Sequence, residues 1–213
     1  MKSCEILSVD PASPDPDSIT RAAALIKTGG LVIFPTSSFY GIGAPALDAE
    51  AVGRVFQVKQ RHPEKPLLIL IALPTDLDSL VQSIPETAER LMKAFWPGSL
   101  TLVFEAADRL PPNLTGYTSK IGIRLAGHPV AISLAKAVGA PITGTSANLS
   151  GHSACSAVGD LEPHFRDQVD LVVDAGRLGG GKGSTVVDVT ADPPKIHREG
   201  GIDAAKIQTV LKG

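Results

Sequence analysis

Apolar residues recur at helical spacing in four segments of the chain, which predicts four helices. Asp17 or Ser18 can cap the first helix, which runs to about Lys27 and is ended by Gly29-Gly30. The three other predicted helices are Ala49–Gln57, Thr87–Phe95 and Pro129–Val138. Each of them ends at a glycine or proline, or shortly before one, except the second, which runs into a cationic segment.

Short apolar runs between these helices are typical of buried strands. The predicted strands are Leu31–Phe34, Pro66–Ala72, Leu100–Glu105, Ile121–Leu125, a short strand at Ile142, Leu171–Asp174 and Thr185–Val189. Helices and strands mix along the whole chain without a linker-like break, so the pattern predicts one α/β domain over residues 1–213. Since their order is irregular, we expect a twisted, mixed sheet flanked by helices rather than a repeated βαβ barrel.

Composition and charge narrow the class of protein. The 213 residues are 43% hydrophobic, which allows a full core, and the net charge is −2, so no global field attracts nucleic acid or a membrane. Cys4 and Cys155 show no paired spacing, which indicates a reducing compartment. The N-terminal residues contain no long apolar run, so we expect neither a signal peptide nor a membrane span. A cytoplasmic globular protein is expected, and the five histidines have no metal-ligand spacing.

Two segments rich in hydroxyls follow predicted strands. Thr145–Gly151 combines small hydroxyls, an amide and a glycine, and Pro35–Gly43 offers three consecutive hydroxyls. Hydroxyls and backbone N–H groups at the end of a strand suit close approach by a polar or anionic ligand. The alternative for each segment is an ordinary turn that caps the next element.

Cations cluster in two further segments. Lys59–Pro66 places its charges on a loop that prolines constrain, and Lys120–Arg124 puts Lys120 and Arg124 on one face of a strand. Such groups suit a triphosphate or a carboxylate. The first segment could also be a surface charge cluster, and the partner of Arg124 could be a structural acid or a substrate carboxylate.

A glycine-rich segment, Gly179–Thr185, superficially resembles a nucleotide-binding P-loop. Gly183 occupies the position that needs Ser or Thr, and the residues after it are β-branched and favour a strand, not the helix that a P-loop requires. We therefore expect a flexible loop that delivers Ser184 and Thr185 to a site. Arg198, just after another strand-like run, is a further candidate.

Together these segments resemble the YrdC/Sua5 family of threonylcarbamoyl-adenylate synthases. The resemblance rests on Pro35-Thr36 with Tyr40-Gly41, Lys59 with Arg61, Trp96-Pro97-Gly98, Ile123-Arg124, Ser146-Ala147-Asn148 with Ser150-Gly151, Ser184–Asp188 and Arg198. It covers about residues 19–201 and implies one YrdC-like domain in its short form, with a twisted mixed sheet around a basic cavity.

The resemblance also implies a reaction and its partners. L-threonine, bicarbonate and ATP would be condensed to L-threonylcarbamoyl-AMP with release of pyrophosphate, and Mg²⁺ would accompany ATP. The tRNA threonylcarbamoyl-transferase machinery would then use the product to modify adenosine 37 of tRNA (t6A), and a direct contact with tRNA is a further partner that the resemblance allows. No membrane partner and no protein-bound metal are expected.

Roles follow from the same resemblance, position by position. Lys59 and Arg61 would be the catalytic cations. The implied L-threonine ligands are Ser38, Arg124, Ser146 and Ser184, and the implied ATP ligands are Arg61, Lys65, Lys120, Asn148, Ser156 and Arg198.

The loop Pro35–Gly41 departs from the family pattern. Ser37 stands where the family has an acid, Ser38 where it has threonine and Phe39 where it has valine. The alternatives to a threonine-specific synthase are a divergent paralogue that binds nucleotide or RNA without turnover, and a carbamoyl transferase-like protein.

Overall fold

The computed structural model describes residues 4–212, which form eleven strands and six α-helices. The strands are β1 (Glu5–Ser8), β2 (Val32–Pro35), β3 (Tyr40–Gly43), β4 (Leu68–Ile71), β5 (Leu100–Glu105), β6 (Lys120–Leu125), β7 (Ile142–Thr143), β8 (Thr145–Ser146), β9 (Leu171–Asp174), β10 (Thr185–Asp188) and β11 (Lys195–Arg198). The helices are α1 (Pro16–Lys27), α2 (Ala49–Lys59), α3 (Glu86–Phe95), α4 (Pro129–Val138), α5 (Pro163–Arg166) and α6 (Ala204–Lys212).

The strands form two mixed sheets. The five-stranded sheet has the order β1-β9-β2-β3-β8, and the six-stranded sheet has the order β11-β10-β5-β6-β4-β7. The chain passes from one sheet to the other at Gly144, between β7, which pairs with β4, and β8, which pairs with β3. A Cβ at Gly144 would lie 2.6 Å from Cγ of Leu70, so this crossing requires glycine.

Apolar side chains bury both faces of the five-stranded sheet. Ile33 packs into one cluster, whereas its neighbours Val32 and Phe34 pack into a second cluster with α1 and α4. Because successive side chains of a strand point to opposite faces, a strand buried on both sides is apolar throughout. This explains the continuous apolar run in β2. Within residues 4–212 no helix has the length and apolar character needed to cross a membrane.

The predicted mixed α/β architecture is confirmed, with three differences. The strands divide between two sheets instead of forming one. Helix α1 begins at Pro16, because Oδ1 of Asp15 accepts hydrogen bonds from N of Asp17 (3.0 Å) and N of Ser18 (3.2 Å) and so caps it; the predicted cap at Asp17 or Ser18 is wrong. Six further elements were not predicted from the sequence: β1, β3, β8, β11, α5 and α6.

Candidate active site

One face of the six-stranded sheet forms the floor of a cavity of about 420 Å³. Alternate residues of β5 and β6 point into it, namely Thr101 and Val103, and Lys120, Gly122 and Arg124. The loop after β2 and the strand β8 provide the opposite wall, so the cavity lies where the two sheets meet. Its volume suits a small-molecule ligand.

Four cationic side chains line this cavity: Arg61, Lys120, Arg124 and Arg198. The lining contains no Asp or Glu. Lys120 pairs with Asp188, which lies outside the lining, whereas Arg61, Arg124 and Arg198 have no acidic partner within the described residues. Cations without an acidic partner favour an anionic ligand in the cavity.

Arg124 is buried, and both of its protein partners are neutral. Its Nε donates to O of Gly98 (2.6 Å), and its Nη2 donates to Oγ of Ser37 (2.7 Å). Burial, and then the charge of Arg198, lower its pKa to about 10. The partner that the sequence left open is therefore not a structural acid. A guanidinium in this state favours a carboxylate or phosphate ligand.

Arg198 is fixed by Ser184. Its Nε (3.1 Å) and Nη2 (2.9 Å) donate to O of Ser184, and Nη2 also lies 3.2 Å from Oγ of that residue. The Ser184 hydroxyl shares a further hydrogen bond of 2.8 Å with the hydroxyl of Thr101. Ser184 lines the cavity, and its hydrogen bonds also orient Arg198.

Arg61 reaches the cavity from the loop after α2. Gln60 ends that helix with a left-handed φ of 48°, and the chain turns so that Nε of Arg61 donates to O of Lys65 (3.1 Å) and Nη2 donates to O of Pro66 (2.9 Å). Burial lowers the pKa of Arg61. Lys65 is exposed and is not part of the cavity lining.

Lys59 is buried behind the cavity wall and does not line the cavity. Its side chain is 1% exposed, and Nζ donates to O of Ser146 and to O (2.8 Å) and Oδ1 (3.3 Å) of Asn148. Burial, and then the charge of Arg61, lower its pKa to about 7. All three N–H groups are used within the protein, so the geometry makes Lys59 an anchor of the Ser146–Asn148 segment. The predicted catalytic contact with substrate would require its release.

The predicted hydroxyl and amide ligands divide into two sets. Ser38 and Ser146 line the cavity, whereas Asn148 and Ser156 do not. Asn148 is engaged locally, because its Oδ1 accepts from Oγ of Ser146 (2.5 Å) and its Nδ2 donates to O of His152 (2.6 Å). Oγ of Ser156 accepts a hydrogen bond from Nη1 of Arg177 (3.2 Å).

Among the polar lining residues, Thr101 was not predicted as part of the site, whereas Thr36, Thr145 and Gly183 lie in segments that were. Thr101 had a usable signal, since it is a polar residue inside the apolar run of β5. The rejection of a P-loop at Gly179–Thr185 is confirmed, because β10 and not a helix follows it.

The lining does not fit a metal held by the protein. Mg²⁺ prefers carboxylate oxygens and water, and this cavity wall offers only hydroxyls, carbonyls and cations. Within residues 4–212 no three His, Cys, Asp or Glu side chains form a cluster that could hold a metal ion.

Comparisons with known proteins place this chain among a group of relatives. Residues 24–200 match the family model Sua5/YciO/YrdC, described as telomere recombination. The chain is 39% identical over 193 residues, 91% of its length, to threonylcarbamoyl-AMP synthase of Pyrococcus abyssi, and 37% identical to the putative threonylcarbamoyl-AMP synthase of Mycobacterium tuberculosis, covering 95% of this chain and 94% of the relative.

A solved structure of a relative has the same fold as this chain. The crystal structure of P. abyssi Sua5 complexed with L-threonine superposes with a TM-score of 0.90 at 37% identity, over 96% of this chain and 60% of that one. The chain spans 57% of the length of the P. abyssi relative. With its fold, its cavity and these matches, the chain belongs to the Sua5/YciO/YrdC family.

Proposed function

We propose that this protein is an L-threonylcarbamoyladenylate synthase, which condenses L-threonine, bicarbonate and ATP to threonylcarbamoyl-AMP and pyrophosphate. The observation that carries the proposal is the set of four cations around a cavity without a carboxylate. The substrates together bring a carboxylate and a triphosphate, and such a pair of anionic groups needs several fixed cations. The relatives named threonylcarbamoyl-AMP synthase support the same activity.

The cavity residues would bind and orient the substrates. Arg124 holds the threonine carboxylate, and Ser38 and Ser146 offer hydroxyls to the amino acid. Arg61, Lys120 and Arg198 meet the phosphates. Ser184 acts by orienting Arg198.

The chemistry needs no protein nucleophile. The threonine nitrogen attacks the carbon of bicarbonate, and loss of water leaves a carbamate. A carbamate oxygen then attacks the α-phosphorus, and the bond from the α-phosphorus to the α,β-bridging oxygen breaks, so that pyrophosphate leaves with that electron pair. The protein contributes orientation of the two reactants and stabilisation of the charge on the leaving pyrophosphate. Mg²⁺ would be coordinated by the triphosphate and water, since the cavity wall has no ligand set for it.

The proposal also covers three ATP ligands outside the cavity lining and the later use of the product. Lys65, Asn148 and Ser156 lie outside the lining and would reach ATP only at the edge of the cavity. The product would pass to the tRNA threonylcarbamoyl-transferase machinery in the cytoplasm for t6A formation, and residues 1–213 would act as one YrdC-like domain.

The test is amino-acid-dependent release of pyrophosphate. The purified protein is incubated with ATP, Mg²⁺ and bicarbonate, and with threonine, serine or other amino acids in turn, and pyrophosphate and the adenylate product are measured. We expect product with threonine that depends on bicarbonate. Product with another amino acid only would assign a synthase with a different amino-acid substrate, and ATP binding without product would favour the divergent paralogue that binds nucleotide without turnover.

A variant pair makes this test specific to the cavity. Arg124→Met removes a lining cation, whereas Arg54→Met removes an arginine that pairs with Asp170 (3.1 Å) outside the lining. We expect only the first variant to lose threonine-dependent product.

A further inference from the structure

Lys120 is held at the cavity wall by two residues at the end of β10. Its Nζ donates to Oδ2 of Asp188 (3.0 Å) and to Oγ1 of Thr190 (2.6 Å). Strand β5 lies between β6 and β10, so the side chain of Lys120 reaches across β5 to make these contacts. An ammonium group has three N–H donors, and two of them are used here. One N–H of Lys120 is therefore left for a ligand in the cavity.

The Asp188 carboxylate allows only one arrangement of these groups. Its Oδ1 accepts from N (2.9 Å) and Oγ1 (2.6 Å) of Thr190, and its Oδ2 lies within 3.0 Å of Lys120 and 3.2 Å of Nε2 of His197. Since Oγ1 of Thr190 donates to Asp188, it must accept from Lys120. The Asp188 side chain is 6% exposed, so water does not compete strongly for these bonds.

Hydrogen bonds favour the ionised form of the Asp188 carboxyl group. Burial raises the pKa of this carboxyl, but hydrogen bonds from Thr190 and Lys120 outweigh burial and bring the pKa well below its usual range. The ionised form of Asp188 is therefore favoured beside Lys120.

A lysine side chain is flexible, and ordering it on a ligand opposes binding through lost rotamer entropy. Two fixed acceptors remove that freedom before the ligand arrives. We propose that Asp188 and Thr190 are positioning residues, which hold the Lys120 ammonium at the cavity wall with one N–H directed to the phosphates of a nucleotide. The choice of ligand rests on the function proposed above.

Asp188→Asn tests this role with little change of shape. Asn offers one acceptor oxygen in place of two, and its amide nitrogen would face either the hydroxyl of Thr190 or the ammonium of Lys120, both of which are donors. We expect the variant to release Lys120 and to weaken ATP binding about tenfold, the worth of one charge-assisted hydrogen bond. Lys120→Met should weaken it equally.

The double variant separates positioning from a merely structural role. If Asp188 acts through Lys120, then Asp188→Asn in the Lys120→Met background leaves the ATP dissociation constant unchanged. Calorimetric titration with ATP measures all four proteins, and thermal unfolding is recorded alongside. Asp170→Asn, which removes a carboxylate paired with Arg54 outside the lining, is the matched control and should bind ATP normally.

Three results would overturn the proposal: tighter ATP binding by Asp188→Asn, the same loss of affinity in the Lys120→Met background, or no ATP binding by the unaltered protein. The proposed synthase activity fails separately. ATP binding with the expected pattern of variants, but without amino-acid-dependent pyrophosphate release, would contradict the synthase and leave the positioning role intact.

Discussion

Replacing Lys59 by Met should change how stability depends on pH. The buried ammonium of Lys59 has only neutral acceptors, and its folded pKa of about 7 lies below its ordinary value of 10.5. Between these values the folded protein binds fewer protons than the unfolded chain, so the free energy of unfolding rises with pH. The contribution is complete above pH 10.5 and is lost as the pH falls through about 7.

The magnitude follows from the interval between the two pKa values. Each pH unit within it changes the free energy of unfolding by about 1.4 kcal/mol, which gives about 5 kcal/mol over the whole interval. Between pH 7.5 and 9.5 the unaltered protein should gain about 2–3 kcal/mol relative to Lys59→Met. The variant also leaves the carbonyls of Ser146 and Asn148 without this donor, which lowers its stability at every pH but does not affect the slope.

Urea unfolding at closely spaced pH values measures both curves. Other titrating groups are common to the two proteins, so their effects cancel in the difference. Lys206→Met, which removes a lysine at an exposed position of α6, is the matched control. Parallel curves for Lys59→Met would refute the reasoning and would mean that Lys59 stays protonated throughout.

Three other substitutions test the site and its scaffold. Arg124→Lys loses the planar fork, so the KM for threonine should rise at least about tenfold while ATP affinity changes little, and steady-state kinetics check this. Thr101→Val removes the hydroxyl that bonds Ser184 at 2.8 Å, and urea unfolding should show a loss of about 1–3 kcal/mol. Gly144→Ala places a Cβ against Leu70, at 2.6 Å from Cγ, and should destabilise the protein by about 1–3 kcal/mol, with an unchanged melting temperature as the contrary result.

Helices and strands could be predicted where the spacing of apolar residues and the residues that flank the segment indicate the same element. Helix α4 and strand β5 have the predicted bounds, because their apolar spacing and flanking residues agree. Strands β3 and β8 were missed, since four residues with two glycines, and two hydroxyl residues, carry no pattern of their own. These segments are strands because they pair with neighbouring strands. The order of strands in a sheet cannot be predicted from a single sequence.

The same limit applies to the site. Arg124 was predicted as a site residue from its place on a strand face and Ser146 from the hydroxyl-rich segment after a strand, and both line the cavity. The ion pair of Lys120 with Asp188 was not predicted, because 68 residues separate the two and only the order of β6, β5 and β10 brings them together. The family resemblance implies a catalytic role for Lys59, and its side chain is buried behind the cavity wall.

The unpaired cations lower the stability of the folded chain, and this is itself an argument for a binding site. Burial, and then the charge of Arg198, lower the pKa of Arg124, and an acid among the lining residues would oppose this effect. Ser37 already touches Nη2 of Arg124 at 2.7 Å, where a carboxylate could stand. A site that keeps a hydroxyl there leaves the guanidinium charge for an anion from solution, and stability given up in this way is typical of functional sites.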